Sequence, residues 1–78
     1  VTPDVNYMSR LVLKGTGTAT LVPNNFGDGD RLEIIYNANE VTLNYPSSWI
    51  GTIEGHGVTV VEIERFLGKT FIATKYHE

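Results

Sequence analysis

The chain has 78 residues, no cysteine, one tryptophan and a formal charge of −3, which leaves room for one small domain and no disulfide framework. A chain this short buries only about 60% of the surface its unfolded form exposes, and its core supplies roughly 3–5 kcal/mol, so self-association or attachment to a larger polypeptide is expected to support it. Six Lys and Arg against nine Asp and Glu, scattered without runs, exclude the concentrated positive face of a nucleic-acid binder, and no apolar run exceeds three residues, far below the about 20 that a membrane-spanning helix needs.

Val, Ile and Thr make up 23 residues, eight more are aromatic and three are alanine. Branched and aromatic side chains suit a pleated surface and lose χ1 freedom in a helix, so the composition predicts strands and no helix longer than one turn. Gly, Pro and Asn-rich breaks recur about every eight to twelve residues, the spacing of sandwiches and barrels. Val1 stands where a complete product would carry methionine, so a processed product or a piece of a longer chain is expected. With no cysteine, the redox compartment stays open.

In chain order, residues 1–6 read as an extended lead-in, because Thr2-Pro3-Asp4 favours polyproline or turn geometry, and residues 7–78 read as a single β domain. A first strand is predicted from Tyr7 to Lys14. After Gly15 and Gly17, Thr18 to Leu21 alternates, with Thr18 and Thr20 on one side and Ala19 and Leu21 on the other. Pro23 to Asp30 is a loop by its Asn, Asp and Gly content.

Arg31 to Tyr45 carries the clearest pattern. Leu32, Ile34 and Tyr36, then Val41, Leu43 and Tyr45, occupy alternate positions around Asn37-Ala38-Asn39-Glu40, which predicts a β-hairpin with both triads on one face and Glu33, Thr42 and Asn44 on the other. Ile35 breaks the alternation and is expected to face a second apolar surface or another subunit. Trp49 to Ile53 is a short strand, and Gly55-His56-Gly57 is the next break. Val58 to Phe66 and Thr70 to Tyr76 form a last hairpin about Leu67-Gly68-Lys69, with Val61, Ile63, Phe71 and Ala73 as its core. Val58 and Val60 lie opposite to Val61 and Ile63, and a bulge near Val60-Val61 would reconcile the two registers.

The stretches "GDGDRLEIIYN", "EVTLNYPSS", "GHGVTVVEIERF" and "GKTFIATKY", in this order over Leu11 to Tyr76, resemble the small β modules of bacteriophage tail fibres and tailspikes. The resemblance implies a virion protein, commonly a homotrimer, that attaches to a host surface or caps and connects a fibre. It transfers no catalytic motif and no receptor-binding residue.

His56 lies between two glycines without a nucleophile motif or a second ligand around it, so it reads as a solvated turn, and His77 beside the terminus reads as surface. Asn24, Asn25, Asp28 and Asp30 supply oxygens for calcium but lack the EF-hand spacing, which favours Asx turns. Glu33, Glu62 and Glu64 are the carboxylates a glycosidase would need, yet Glu62 and Glu64, about 7 Å apart on one strand face, are a common surface pattern. Tyr36, Tyr45 and Trp49 put flat rings beside polar residues, as sugar binding requires, although Trp49 equally suits a core or subunit interface.

The sequence therefore predicts an all-β domain of six to seven short antiparallel strands, sandwich or jelly-roll-like, in a homotrimer. The expected function is a structural or receptor-binding part of a phage tail appendage, with no catalysis, cofactor or metal. Its expected partners are copies of itself, other tail proteins and a bacterial surface glycan or protein. Tyr45, Trp49 and His56 are the binding candidates, and Ile35, Val58 and Val60 the candidates for the oligomer interface. The alternatives are a carbohydrate-binding module or an accessory domain of a glycan-degrading enzyme.

Overall fold

Alternation of apolar and polar side chains places most of this chain in strands, and the computed structural model, which describes residues 10–22 and 26–78, bears this out with no helix among the described residues. Among the described residues there are six strands: β1 (Arg10–Val12), β2 (Gly17–Thr20), β3 (Arg31–Asn37), β4 (Val41–Asn44), β5 (Val58–Phe66) and β6 (Lys69–His77). They form a four-stranded sheet in the order β1-β3-β5-β6 and a two-stranded sheet of β2 and β4. The lead-in over residues 1–6 and the Pro23-Asn24-Asn25 part of the loop lie outside the described residues.

The predicted all-antiparallel arrangement is corrected. β3 pairs with β5 and β5 with β6 in antiparallel fashion, but β1 runs parallel to β3 and β2 parallel to β4. The predicted hairpin from Arg31 to Tyr45 does not form, because β3 and β4 belong to different sheets. The turn between them is built as expected, with the Glu40 amide donating to Asn37 O at 3.0 Å and the Asn39 amide to Asn37 Oδ1 at 3.0 Å. It acts as an arch that carries the chain from one sheet to the other. β1 and β2 make a similar arch, and the two arches stack in register, Leu11 opposite Ile34 and Ala19 opposite Leu43. Both triads still point inward. Leu32, Ile34, Tyr36, Val41 and Leu43 are buried with Leu21, Val61, Ile63 and Ile72 in one core cluster drawn from both sheets. Burial pushes the Tyr36 phenol above its ordinary pKa.

The last hairpin shows how one residue in a turn decides a face. A three-residue connection Leu67-Gly68-Lys69 puts Phe71 and Ala73 inward. In the structure the turn is only Leu67-Gly68, with Phe66 opposite Lys69 and both turn residues at positive φ, 53° and 74°, as in the type I′ turns that match strand twist. The register therefore slips by one. Ile72 stands opposite Ile63 and is buried, Thr70 is buried beside it, and Ala73 is exposed opposite Glu62, so Ala73 leaves the predicted core and half-buried Phe71 stacks on Phe66 at 4.9 Å. Leu67 is 83% exposed at a φ that L-residues with a Cβ avoid. Leu67→Asn, which completes an Asn-Gly turn, is expected to raise stability by about 0.5–1 kcal/mol, read as a higher urea unfolding midpoint.

A register shift occurs at Val60/Val61, as expected, but the extra residue is Lys75 on β6, between Thr74 and Tyr76. β5 itself alternates without interruption, so Val58 and Val60 stay on the face opposite to Val61 and Ile63. The predicted strand Trp49 to Ile53 is also corrected. Only Ile50 bridges Phe71, in parallel, through Ile50 N to Thr70 O and Ile72 N to Ile50 O, each 2.9 Å. Farther along, Thr74 Oγ1 accepts from the Glu54 amide and donates to Glu54 O, both at 2.9 Å. This crossing segment covers much of the β6 edge, a position where an open ladder would invite pairing with another chain.

The Cα radius of gyration is 11.7 Å and the accessible surface 4745 Å². A folded monomer of this size has about 11.5 Å and about 4,700 Å². Total burial is therefore ordinary for a small monomer, and the remaining apolar surface matters by where it lies.

Candidate functional site

Two regions gather the candidate residues. The first is a cleft at the β5–β6 turn. Pro46 closes a turn by accepting from the Trp49 amide at 3.1 Å, which folds Trp49 back so that its ring stacks on Tyr45, centroids 6.0 Å apart and 19° from parallel. Both rings are half-buried against the core. Trp49 lines two adjoining grooves. One, about 190 Å³, is bounded by Val22, Phe26 and Pro46. The other, about 330 Å³, is bounded by Ser48, Ile50, Gly68 and Lys69. Arg65 and Thr70 line both.

Arg65 is held in place from two sides. Its guanidinium donates to Thr70 Oγ1 at 3.0 Å and lies 3.6 Å from Asp28 Oδ1. An exposed pair of this length contributes little stability, but it orients the fork. Its backbone is fixed as well, since Gly29 N donates to Arg65 O at 2.6 Å and Arg65 N to Asp30 O at 3.1 Å. The loop carboxylates are thus occupied with turn chemistry: Asp30 Oδ2 accepts from Gly27 N at 2.8 Å, and Asp28 from the Gly68 amide at 3.1 and 3.3 Å. No group of three or more His, Cys, Asp or Glu among the described residues could hold a metal ion.

His56 is not part of this cleft. It is exposed just before β5, where its carbonyl accepts from the Glu78 amide at 3.1 Å, and the first residue of that strand, Val58, is already about 24 Å from Arg65 by strand rise. The structure therefore brings Tyr45 and Trp49 together and leaves His56 apart. Arg65, Lys69 and Thr70 were missed in the sequence. The only signal there is a cation on each side of the Phe66-Leu67-Gly68 turn. A broader groove of about 620 Å³ follows β6 past Glu54, Thr74, Lys75 and His77 and includes none of the three predicted binding residues.

The second region is the outer face of the four-stranded sheet. Register aligns Val12, Ile35, Val60 and Tyr76 in one row across all four strands, with Val58 beside it opposite Asn37. Val12 is 52% and Tyr76 55% exposed, while Ile35 and Val60 are half-buried. Next to this row lies a belt of ion pairs. Glu33 and Glu62 stand directly opposite one another, a repulsive placement relieved by Arg10 to Glu33 at 2.8 Å, Lys75 to Glu62 at 3.1 Å, and Arg31 to Glu64 at 2.6 Å and Glu62 at 3.7 Å. The Glu64 hydrogen bond, then the Glu62 and Glu64 charges, raise the Arg31 pKa further above its ordinary value. Glu33, Glu62 and Glu64 each hold a cation here. Among the described residues, no helix is long and apolar enough to cross a membrane. Compared with protein families, with curated proteins and with solved structures, the chain matches none.

Proposed function

We propose that this chain is a non-catalytic assembly and attachment module of a bacteriophage tail appendage, a sandwich-like all-β unit whose copies associate as a homotrimer on the virion. The observation that carries the reading is the apolar row Val12, Ile35, Val60 and Tyr76, which spans four strands on the outer face of the sheet, exposed at Val12 and Tyr76 and half-buried at Ile35 and Val60. Total burial is normal for a monomer, so this row is not the residue of poor folding. A contiguous apolar stripe of this kind marks an interaction surface.

A second copy suits it on charge. The neighbouring belt pairs Arg10, Arg31 and Lys75 with Glu33, Glu62 and Glu64, so it is neutral although the chain carries −3, and like copies meet there without net repulsion. Tyr76 supplies the aromatic character that interface centres favour. The strand-and-turn sequence from Leu11 to Tyr76 supports the tail-fibre setting.

Light scattering at micromolar concentration is expected to return a trimer. The pair Ile35→Thr and Val60→Thr, which keeps β-branching, is expected to yield a folded monomer with a thermal midpoint no higher than the parent's. A parent chain that stays monomeric at about 100 μM, a hundredfold above a micromolar Kd, overturns the assembly reading. The phage setting is checked separately by the genes flanking the reading frame, where fibre or baseplate genes are expected.

A further inference from the structure

We propose that the Trp49 cleft binds a carboxylated sugar ring, a uronic acid of a surface polysaccharide. The inference rests on the reading of the chain as an attachment module and names the class of ligand it takes. Its first support is the division of the cleft. Trp49, Arg65 and Thr70 are common to two grooves, one walled by the apolar Val22, Phe26 and Pro46, the other, which carries Lys69 and Ser48 beside Gly68 and one apolar residue, Ile50, being the more polar. A pyranose ring has the same division, with an apolar C–H face to lie on an indole and hydroxyls around its rim.

The charge pattern selects the acid. In a chain of net charge −3, Arg65 and Lys69 both line the polar groove. Arg65 spends one donor on Thr70 and sits at 3.6 Å from Asp28, which leaves part of its planar fork for a second carboxylate. Lys69 is exposed and has no carboxylate within ion-pair distance among the described residues. A neutral sugar would leave Lys69 without a counterpart. A nucleic acid or an anionic membrane would need a longer run of positive charge than these two residues provide. The cleft also lies near the opposite end of β5 from Val60, so a bound glycan and a neighbouring copy do not compete for one surface.

Trp49 is the chain's single tryptophan, and its fluorescence reports on the cleft without a label. Trigalacturonate is the probe, with its methyl ester as the same ring without charge and triglutamate as the same charge without a ring. Trigalacturonate is expected to shift Trp49 emission saturably at about 1 mM, and the two controls to bind about tenfold more weakly or not at all. Lys69→Gln, at an exposed position, is expected to weaken trigalacturonate about tenfold with the thermal midpoint unchanged, and added salt to weaken the parent similarly. The proposal is overturned if trigalacturonate gives no saturable change up to about 10 mM, tenfold above the expected midpoint. It is equally overturned if either control matches trigalacturonate, or if Lys69→Gln binds as the parent does. Light scattering on the same samples separates the two readings. Failed binding by a trimer removes the sugar site alone, and binding by a chain that never assembles removes the assembly reading alone.

Discussion

Gly51→Ala is expected to unfold most of the protein at room temperature. Gly51 has φ +118°, and a Cβ there would lie 2.1 Å from Ile72 O, a backbone atom of β6 that cannot swing away. Relief requires the crossing segment to lift off β6 and break the Ile50 N to Thr70 O and Ile72 N to Ile50 O bonds. The unfavourable φ costs about 1–3 kcal/mol and each lost hydrogen bond about 1 kcal/mol, which together approach the roughly 3–5 kcal/mol a domain of this size holds. Gly15→Ala separates the two causes, because Gly15 also has positive φ, +97°, but nothing stands within 4 Å of the added methyl. It should lose only the conformational share. Urea titrations followed by circular dichroism check both. Equal midpoints for the two variants would show that the segment does not press on β6 as described.

Ile63→Ala is expected to cost about 2–5 kcal/mol and leave the folded state in the minority. Ile63 is fully buried and stands in register between Leu32 and Ile72, at the centre of three paired strands. Removing its three outer carbons opens a cavity that the branched neighbours cannot collapse to fill. Ile63→Val, expected at about 0.5–1.5 kcal/mol, keeps the measurement within range if the alanine variant cannot be refolded. Ile72→Ala should behave like Ile63→Ala, whereas Ala73→Ser should change the midpoint by less than about 0.5 kcal/mol, since Ala73 faces solvent. The opposite ranking would mean that β6 presents its other face and that the turn holds three residues.

That ranking also marks how far the sequence could be read. The span Val58–Phe66 and the partner strand after the Gly68 turn were legible, because alternation and a glycine turn are local signals. Which face of β6 points inward was not, because it depends on whether Lys69 belongs to the turn or the ladder, and Thr70 and Ile72 compete closely with Phe71 and Ala73 as an inward set. At the site, Tyr45 and Trp49 were legible, with Tyr36, as aromatic rings beside polar residues, while their stacking and the approach of Arg65 and Thr70 to Trp49 depend on Ile50 pairing along the β6 edge.

The amino-acid order by itself determined that the chain forms strands, where several of its turns fall, and that Leu32, Ile34, Tyr36, Val41 and Leu43 turn inward, since these follow from side-chain branching and a period of two. It also placed Ile35, Val58 and Val60 apart from that core. Only the tertiary structure decided that β3 and β4 form an arch between sheets and that each pairs in parallel with a strand of the preceding arch. The physical reason is that alternation sets the direction of side chains, perpendicular to the sheet, whereas pairing is set by backbone N–H and C=O groups within its plane, which are nearly the same for every residue. Partners far apart in the chain are therefore chosen by how the buried faces pack together.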